Sequence, residues 1–192
     1  MKKKDISMKK RALTLALLLV FATAPACTNK QGETEAPVFI TVSLELQPGF
    51  VDLGVLAPVQ IDTIELESHL KNPSQTDPQG FANTQINSYQ VRFRRTDGGT
   101  RVPPTKTFGA GILVPSGGTA TLTNFPIMDA ADLLLSPFDQ LLPFNGGVDR
   151  ETGRNQISMT FDITFFGQTA SGHRVQSETA SGILVFTCAT CF

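Results

Sequence analysis

The residue pair most suited to chemistry lies near the end of the chain, in Cys188-Ala-Thr-Cys191. Two cysteines at this spacing can form a local disulfide, exchange electrons as a redox pair, or supply half of a zinc site. A redox pair uses the positive end of a helix to lower the thiol pKa, whereas this pair follows a predicted strand. Zinc needs two further ligands, and the only histidines of the chain are His69 and His173. We therefore favour a local disulfide or two inert thiols, with redox and metal sites as alternatives.

Three arginines form a small basic stripe before a predicted turn: Arg92, Arg94 and Arg95. Guanidinium groups in such an arrangement can bind a carboxylate or phosphate through paired hydrogen bonds. The same pattern also describes the solvent face of a strand, with its charges paired to Glu65 and Glu67 on a neighbouring strand. We favour the second interpretation.

Other polar residues give weaker signals. His173, beside Arg174 in a predicted turn, has no nucleophile and orienting acid in a recognisable pattern, and the chain contains no Gly-x-Ser-x-Gly motif. The Asp-Arg-Glu-Thr-Gly loop at 149–153 holds two acids that can bind calcium, but without EF-hand spacing it indicates an exposed turn. Asp129 and Asp132 are typical of a helix start. We predict no catalytic residue, no metal site and no cofactor, and so not an enzyme.

The first 26 residues have the features of a secretory signal peptide. Six basic residues and one acid precede the apolar stretch 12–22, which is shorter than a membrane span. The following Ala24-Pro-Ala-Cys27 resembles the lipobox of bacterial lipoproteins. That resemblance implies an acylated Cys27 as the first mature residue, carrying palmitate or similar chains. Ordinary cleavage after Ala26 is the alternative, and translation can begin at Met1 or at Met8.

The lipoprotein resemblance also implies a location and a domain plan. Thr28, rather than Asp, follows the cysteine, which favours the outer membrane if the cell has one. We expect a lipid-anchored protein of the cell envelope, in the outer membrane or on the periplasmic face of a Gram-negative cell. Residues 1–26 are then the signal peptide, residues 27–36 the lipidated cysteine with a polar tether, and residues 37–192 one domain.

Processing changes the charge of the chain. The whole sequence has 16 basic and 17 acidic residues, and residues 1–26 hold six and one of them, which leaves 10 basic and 16 acidic. An acidic protein lacks the positive face that nucleic acid requires. Sugar binding is unsupported because the chain has no Trp and its single Tyr, Tyr89, has the parity of a buried residue. The expected partners are the membrane, through Cys27, and a protein of the envelope.

From Val38 onward, apolar and polar residues alternate with the period of two that is typical of half-buried strands. The strands are separated by Gly, Pro, Asn and Asp, including Asp97-Gly-Gly99. The segment near 129–142 is apolar without alternation, and its Ser136-Pro-Phe-Asp139 predicts a short helical crossover. The predicted strands cover residues 38–46, 61–71, 86–95, 106–114, 119–125, 156–167 and 174–187.

About seven strands in one domain predict an all-β fold, a single antiparallel β-sandwich. In architecture it resembles immunoglobulin-like and fibronectin-type-III-like domains, and a small closed barrel is the alternative. We expect a core containing Phe39, Phe93, Phe161 and Phe165. The expected function is a non-enzymatic binding or structural role at the membrane surface. An envelope redox or metal-dependent factor using Cys188 and Cys191 is the alternative.

Overall fold

The computed structural model describes residues 36–45 and 49–191. The predicted signal peptide, Cys27 and most of the predicted tether lie outside the described residues. Within them the chain is mainly β, which confirms the predicted all-β class. No helix in the described part is long and apolar enough to span a membrane. The strands are β1 Val38–Leu44, β2 Gly49–Asp52, β3 Val59–Leu70, β4 Thr84–Arg95, β5 Lys106–Val114, β6 Thr119–Met128, β7 Gln156–Thr169, β8 Arg174–Gln176 and β9 Ala180–Thr187.

The strands form two sheets. One has the order β1-β3-β6, and the other has the order β2-β9-β7-β4-β5 with β8 beside β7. All pairs are antiparallel except β2 with β9, which is parallel and sets Gly49 opposite Leu184. The prediction of a purely antiparallel fold is therefore wrong at this edge. β2 follows β1 in the sequence but belongs to the other sheet, where it adds a parallel edge strand beside β9.

The predicted strand 174–187 divides into β8 and β9 around Ser177. Its hydroxyl accepts a hydrogen bond from Phe165 N at 2.9 Å and replaces a backbone partner. The next amide, Glu178 N, donates instead to Ile40 O of β1 at 3.0 Å. This break is a β-bulge, and it links the two sheets along one side.

Alternating side chains of both sheets meet in a shared apolar core. Phe93, Phe161 and Phe165 are buried in it, as predicted. The prediction that Phe39 belongs to the core is wrong, because Val38 and Ile40 take the inward positions of β1. Phe39 is 40% exposed and stacks on His69, with the ring centroids 4.9 Å apart.

Tyr89 is buried, as its parity predicts, and it joins the two sheets. Its hydroxyl donates to Pro126 O at 2.6 Å, and its ring lies 4.4 Å from that of Phe125. Burial, and to a smaller degree the charge of Asp129, raises the pKa of Tyr89 to about 12.

The predicted crossover near 129–142 consists of 3₁₀ turns at Ala130–Leu134, Phe138–Leu141 and Pro143–Asn145. Asp129 is the N-cap residue of the first turn, and Asp132 accepts a hydrogen bond from Asp129 N, which confirms their interpretation as helix-start residues. Phe138 packs on Phe186 with the ring centroids 4.3 Å apart. The crossover thus covers one end of the core.

The strands define two ends of the domain. At the Ala36 end, Lys71 N donates to Pro37 O, and the loop before β4 bonds to the turn after β7 through Ala170 N and Asn83 O. The opposite end, which we call the groove end, contains the 96–105 loop, the crossover and the C-terminal residues 188–191. There Leu53 N donates to Thr187 O. Ala36, the first described residue, therefore lies at the end remote from the 96–105 loop.

Candidate binding groove at the end of β4

The three arginines of the basic stripe occupy different environments because β4 alternates. Arg92 and Arg94 point outward and are exposed, whereas the side chain of Arg95 is only 2% exposed. Their predicted pairing with Glu65 and Glu67 is wrong, since those acids lie on β3 in the other sheet.

Arg95 is held by two buried carboxylates. Its Nε and Nη2 donate to the two oxygens of Asp97 at 2.7 and 2.9 Å, and Nη2 also donates to Asp149 Oδ2 at 2.8 Å. Asp97 and Asp149 are 3% and 0% exposed. Thr152 adds two hydrogen bonds to Asp149 through its amide and its hydroxyl. Charge-assisted and bidentate contacts of this kind fix both geometry and orientation.

The acidic loop at 149–153 is a turn with Arg150, Glu151 and Gly153 exposed, as its sequence predicts, but both of its acids contact other parts of the domain. Asp149 is buried against Arg95, and Glu151 fastens the neighbouring loop by accepting hydrogen bonds from the Thr100 amide and hydroxyl and from Arg101 N at 2.7–3.0 Å. Among the described residues, no three His, Cys, Asp or Glu side chains are grouped to hold a metal ion. The cation that these acids contact is the protein's own arginine.

Hydrogen bonding keeps the acids of this cluster ionised. Burial acts to raise the pKa of Asp97, but the bonds from Arg95 and from two backbone amides outweigh it and lower that pKa to about 2. Burial likewise opposes the shift at Asp149, where bonds from Arg95 and Thr152 lower the pKa. The pKa of Glu151 is lowered chiefly by the Arg101 backbone amide.

Gly99 packs directly against the guanidinium of Arg95. A Cβ at Gly99 would lie 2.4 Å from the guanidinium carbon of Arg95, so the loop can pass over Arg95 only without a side chain there. The predicted turn at Asp97-Gly-Gly99 is part of a longer connection, residues 96–105. Asp97 Oδ1 accepts from Gly99 N at 3.2 Å and starts that connection.

A groove of about 490 Å³ lies between the last residues of β4 and the 99–105 segment. It forms because β5 pairs with β4 only as far as Val91 opposite Lys106, whereas β7 continues to pair up to Arg95. Within this described region, no backbone hydrogen bond joins residues 92–95 to residues 99–105. Pro103 and Pro104, on the far wall, have no N–H to donate.

The backbone of β4 therefore presents an unpaired edge to the groove. Thr96 N donates to Ser158 O, which directs the even-numbered residues of β4 toward β7. Alternate residues of an antiparallel strand send their N–H and C=O to opposite sides, so Phe93 and Arg95 direct theirs into the groove.

Arg92 and Arg94 lie along the rim of this groove. The side chain of Arg94 is 57% exposed, and its Nη2 lies 3.0 Å from Asp162 Oδ1. Ser181 also donates to Asp162, at 2.6 Å. In the part of the chain that the structure describes, the side chain of Arg92 has no hydrogen bond or ion pair. The rim thus offers one fully available guanidinium and one that is partly engaged.

The other predicted site residues lie elsewhere. His173 is half-buried in the turn after β7, at the Ala36 end. Asp129 and Asp132 both contact Lys106 Nζ, whose pKa those hydrogen bonds raise. The lipidation candidate, Cys27, lies outside the described residues.

His69 forms the arrangement most similar to a catalytic one. Its Nε2 lies 3.0 Å from Thr41 Oγ1 and 3.6 Å from Glu67 Oε2. A catalytic triad needs the acid on the other ring nitrogen, where it orients the base. Here the hydroxyl and the acid share one nitrogen on the outer face of a sheet, so the contact links side chains of neighbouring strands.

Cys188 and Cys191 are joined by a disulfide, with their Cα atoms 5.4 Å apart. Asp52 Oδ1 accepts hydrogen bonds from Ala189 N at 3.1 Å and Thr190 N at 3.4 Å, between the two cysteines. A carboxylate at this position disfavours a thiolate, the reactive form in exchange chemistry. The disulfide and Asp52 fix the C-terminal turn beside β2.

Comparisons with protein-family models, with curated proteins and with solved structures found no match to this chain. The functional argument accordingly rests on the residues themselves.

Proposed function

We propose that the protein is a bacterial cell-envelope lipoprotein in which acylated Cys27 holds one β domain at a membrane, where the groove end binds a partner without catalysis. The observation that supports a binding role is the groove itself, an unpaired strand edge flanked by the exposed Arg92 and Arg94. The support for the anchor is the signal-like segment ending in Ala24-Pro-Ala-Cys27.

The position of the groove fits this role. The described domain begins at Ala36, nine residues after Cys27, and an extended chain of that length reaches about 30 Å. The groove lies at the opposite end of the strands from Ala36. An anchored domain would therefore direct the groove away from the membrane, toward envelope partners.

For the finer fold class, we propose an immunoglobulin-like sandwich with one departure. The support is the shared core of two sheets and the Tyr89 bond that joins them. The departure is β2, which adds a parallel edge strand.

The anchor is tested by the intact mass of the mature protein extracted from its native membrane. We expect a chain that begins at Cys27 and carries the added mass of acyl groups. The matched control is Cys27→Ser, which should lose the added mass and leave the membrane fraction. An unmodified chain in the soluble fraction would overturn the lipoprotein assignment.

The redox alternative has a separate test. The double variant Cys188→Ser with Cys191→Ser removes the disulfide while leaving the groove residues unchanged. If the groove carries the function, partner binding should persist in this variant. Loss of binding without loss of folding would instead favour a role for the cysteines.

A further inference from the structure

We propose that the groove binds an extended acidic peptide, which pairs with the free edge of β4 and places acids at alternate positions beside Arg92 and Arg94. The proposal rests on the proposed function, because it names the ligand class of the same groove.

The first argument is the backbone. Residues 92–95 are already held in extended form by β7, so their free N–H and C=O groups are arranged before a ligand arrives. A peptide strand that satisfies such groups gains main-chain hydrogen bonds without reorganising the protein. The two prolines on the far wall leave these groups without a competitor from the 99–105 segment.

The second argument is rigidity. Arg95 lies below the groove, and its bonds to Asp97 and Asp149 fix the end of β4. Glu151 fastens the other wall at Thr100 and Arg101. Both walls are thus held by buried or paired charges, and a preformed site loses less conformational entropy on binding.

The third argument is charge. The guanidinium of Arg92 has no partner among the described residues. The guanidinium of Arg94 contacts one carboxylate, that of Asp162. Arg95 is already neutralised by its own acids, so Arg92 and Arg94 are the guanidinium groups left for a ligand. Their positive charge favours a partner that carries carboxylates at this position.

The spacing of the two arginines predicts the ligand sequence. Arg92 and Arg94 are two residues apart and project from the same face of β4. In a paired strand, residues at i and i+2 also share a face, and directly opposite side chains lie about 5 Å apart. An acid-x-acid pattern therefore matches the rim, whereas two adjacent acids would point to opposite faces.

The chain's own tether contains this pattern in Glu33-Thr-Glu35, but it cannot fill its own groove. The tether joins the domain at Ala36, whereas the groove lies at the other end of β4. A strand of twelve residues spans about 40 Å, and one to three residues reach only about 10 Å. The tether of a second copy is a different occupant, and the experiment distinguishes it.

The test uses the full mature protein in detergent and a fluorescent peptide with two Glu residues separated by one Thr in a Thr-rich strand. We expect saturable binding that weakens with salt, and at least tenfold weaker binding to Arg92→Gln with Arg94→Gln, the loss of about one charge-assisted contact. The matched control is Arg174→Gln, an exposed arginine on β8, which should bind normally.

Two further peptides separate strand pairing from simple charge attraction. One has the same composition with the two Glu residues adjacent, and the other has methylated backbone nitrogens. Both should bind at least several-fold more weakly. Equal binding of all three peptides, or no effect of the Arg92 and Arg94 changes, would overturn the proposal.

Two further results would show that the groove has a different occupant. If inorganic phosphate at equal charge displaces the peptide completely, the site is an anion site and the peptide proposal is wrong. Self-association that requires Arg92, Arg94, Glu33 and Glu35 would identify a second copy as the occupant and would likewise overturn it. A lipidated chain that binds no peptide refutes this inference alone, whereas an unlipidated chain that binds refutes the anchor alone.

Discussion

Arg92 and Arg95 lie three residues apart on the same strand, and the protein uses them in opposite ways. Arg95 is buried among Asp97 and Asp149, whereas Arg92 is exposed beside an open groove. Strand parity directs the two side chains to different sides, and the loops after β4 and before β7 then supply acids to only one of them. The comparison teaches that an arginine stripe in a sequence has no single role. The buried member builds the site, and the exposed members remain available to a ligand.

The largest expected effect is the loss of the buried charge. Arg95→Met leaves two buried carboxylates without their cation, and breaking a buried pair in this way costs about 3–5 kcal/mol. Arg92→Met removes an exposed charge without a partner, and we expect a change within about 0.5 kcal/mol. Denaturant unfolding of both variants measures the difference. Similar destabilisation of the two variants would show that the Arg95 cluster is not the stabilising region.

Glycine 99 tests how rigidly Arg95 is held. Gly99→Ala places a methyl group 2.4 Å from the guanidinium carbon of Arg95, and a free arginine would move aside. Because Arg95 is bonded on two sides, we expect overpacking that costs about 1–3 kcal/mol. Gly109→Ala is the matched control, since its Cβ would meet nothing within 4 Å. Unfolding midpoints compare the two variants, and an unchanged midpoint for Gly99→Ala would mean that the guanidinium is mobile.

Strong acid should weaken the buried cluster around Arg95. The pKa of Asp97 is about 2 in the folded protein, below the value near 3.9 in an unfolded chain. Stability from this group is fully present above pH 4 and is lost as the pH falls toward 2, because the unfolded state then binds more protons. The pKa values of Asp149 and Glu151 are lowered in the same direction.

The measurement is the free energy of unfolding between pH 5 and 2. We expect it to fall with decreasing pH in the unmodified protein and to fall less steeply in Asp97→Asn, which has no carboxyl to titrate. Arg92→Gln should keep the unmodified slope. Equal slopes in the unmodified protein and Asp97→Asn would contradict the role of Asp97.

The sequence predicted much of the fold because alternation and turn residues are local signals. The seven predicted strand regions all contain strands, and Asp129 with Asp132 begins the crossover as predicted. β2 was missed because it is four residues long and follows a turn signal, so its pairing depends on β9, far away in the sequence. The hydrophobicity of Phe39 predicts burial, but its parity in β1 directs the side chain outward.

The site was less predictable because it depends on contacts between distant segments. The sequence shows the stripe of Arg92, Arg94 and Arg95, but it does not show which acids pair with these residues. Asp97 was visible only as part of a turn, and Asp149 only as part of a loop with calcium-type ligands. Their meeting at Arg95 depends on the pairing of β4 with β7, across more than fifty residues. No local sequence pattern indicates a contact between residues so far apart in the chain.

The smallest expected effect concerns Asp162. It pairs with Arg94 on the outer face of the sheet, whereas Asp97 pairs with the buried Arg95. Its contact with Arg94 is a partly exposed ion pair, so Asp162→Asn should lower the free energy of unfolding by about 1 kcal/mol or less.

The same change should strengthen ligand binding, because Asp162 competes with an acidic peptide for Arg94 and repels its charge. We expect roughly two- to fivefold tighter binding of the acid-x-acid peptide, the equivalent of about 0.4–1 kcal/mol. Thr160→Ala, one position along the same face of β7, is the control that leaves the Arg94 charge pairing intact. Peptide titrations at two salt concentrations measure the effect. Weaker binding to Asp162→Asn would contradict this expectation. It would mean that Asp162 positions Arg94 for the ligand, as Asp97 positions Arg95 in the buried cluster.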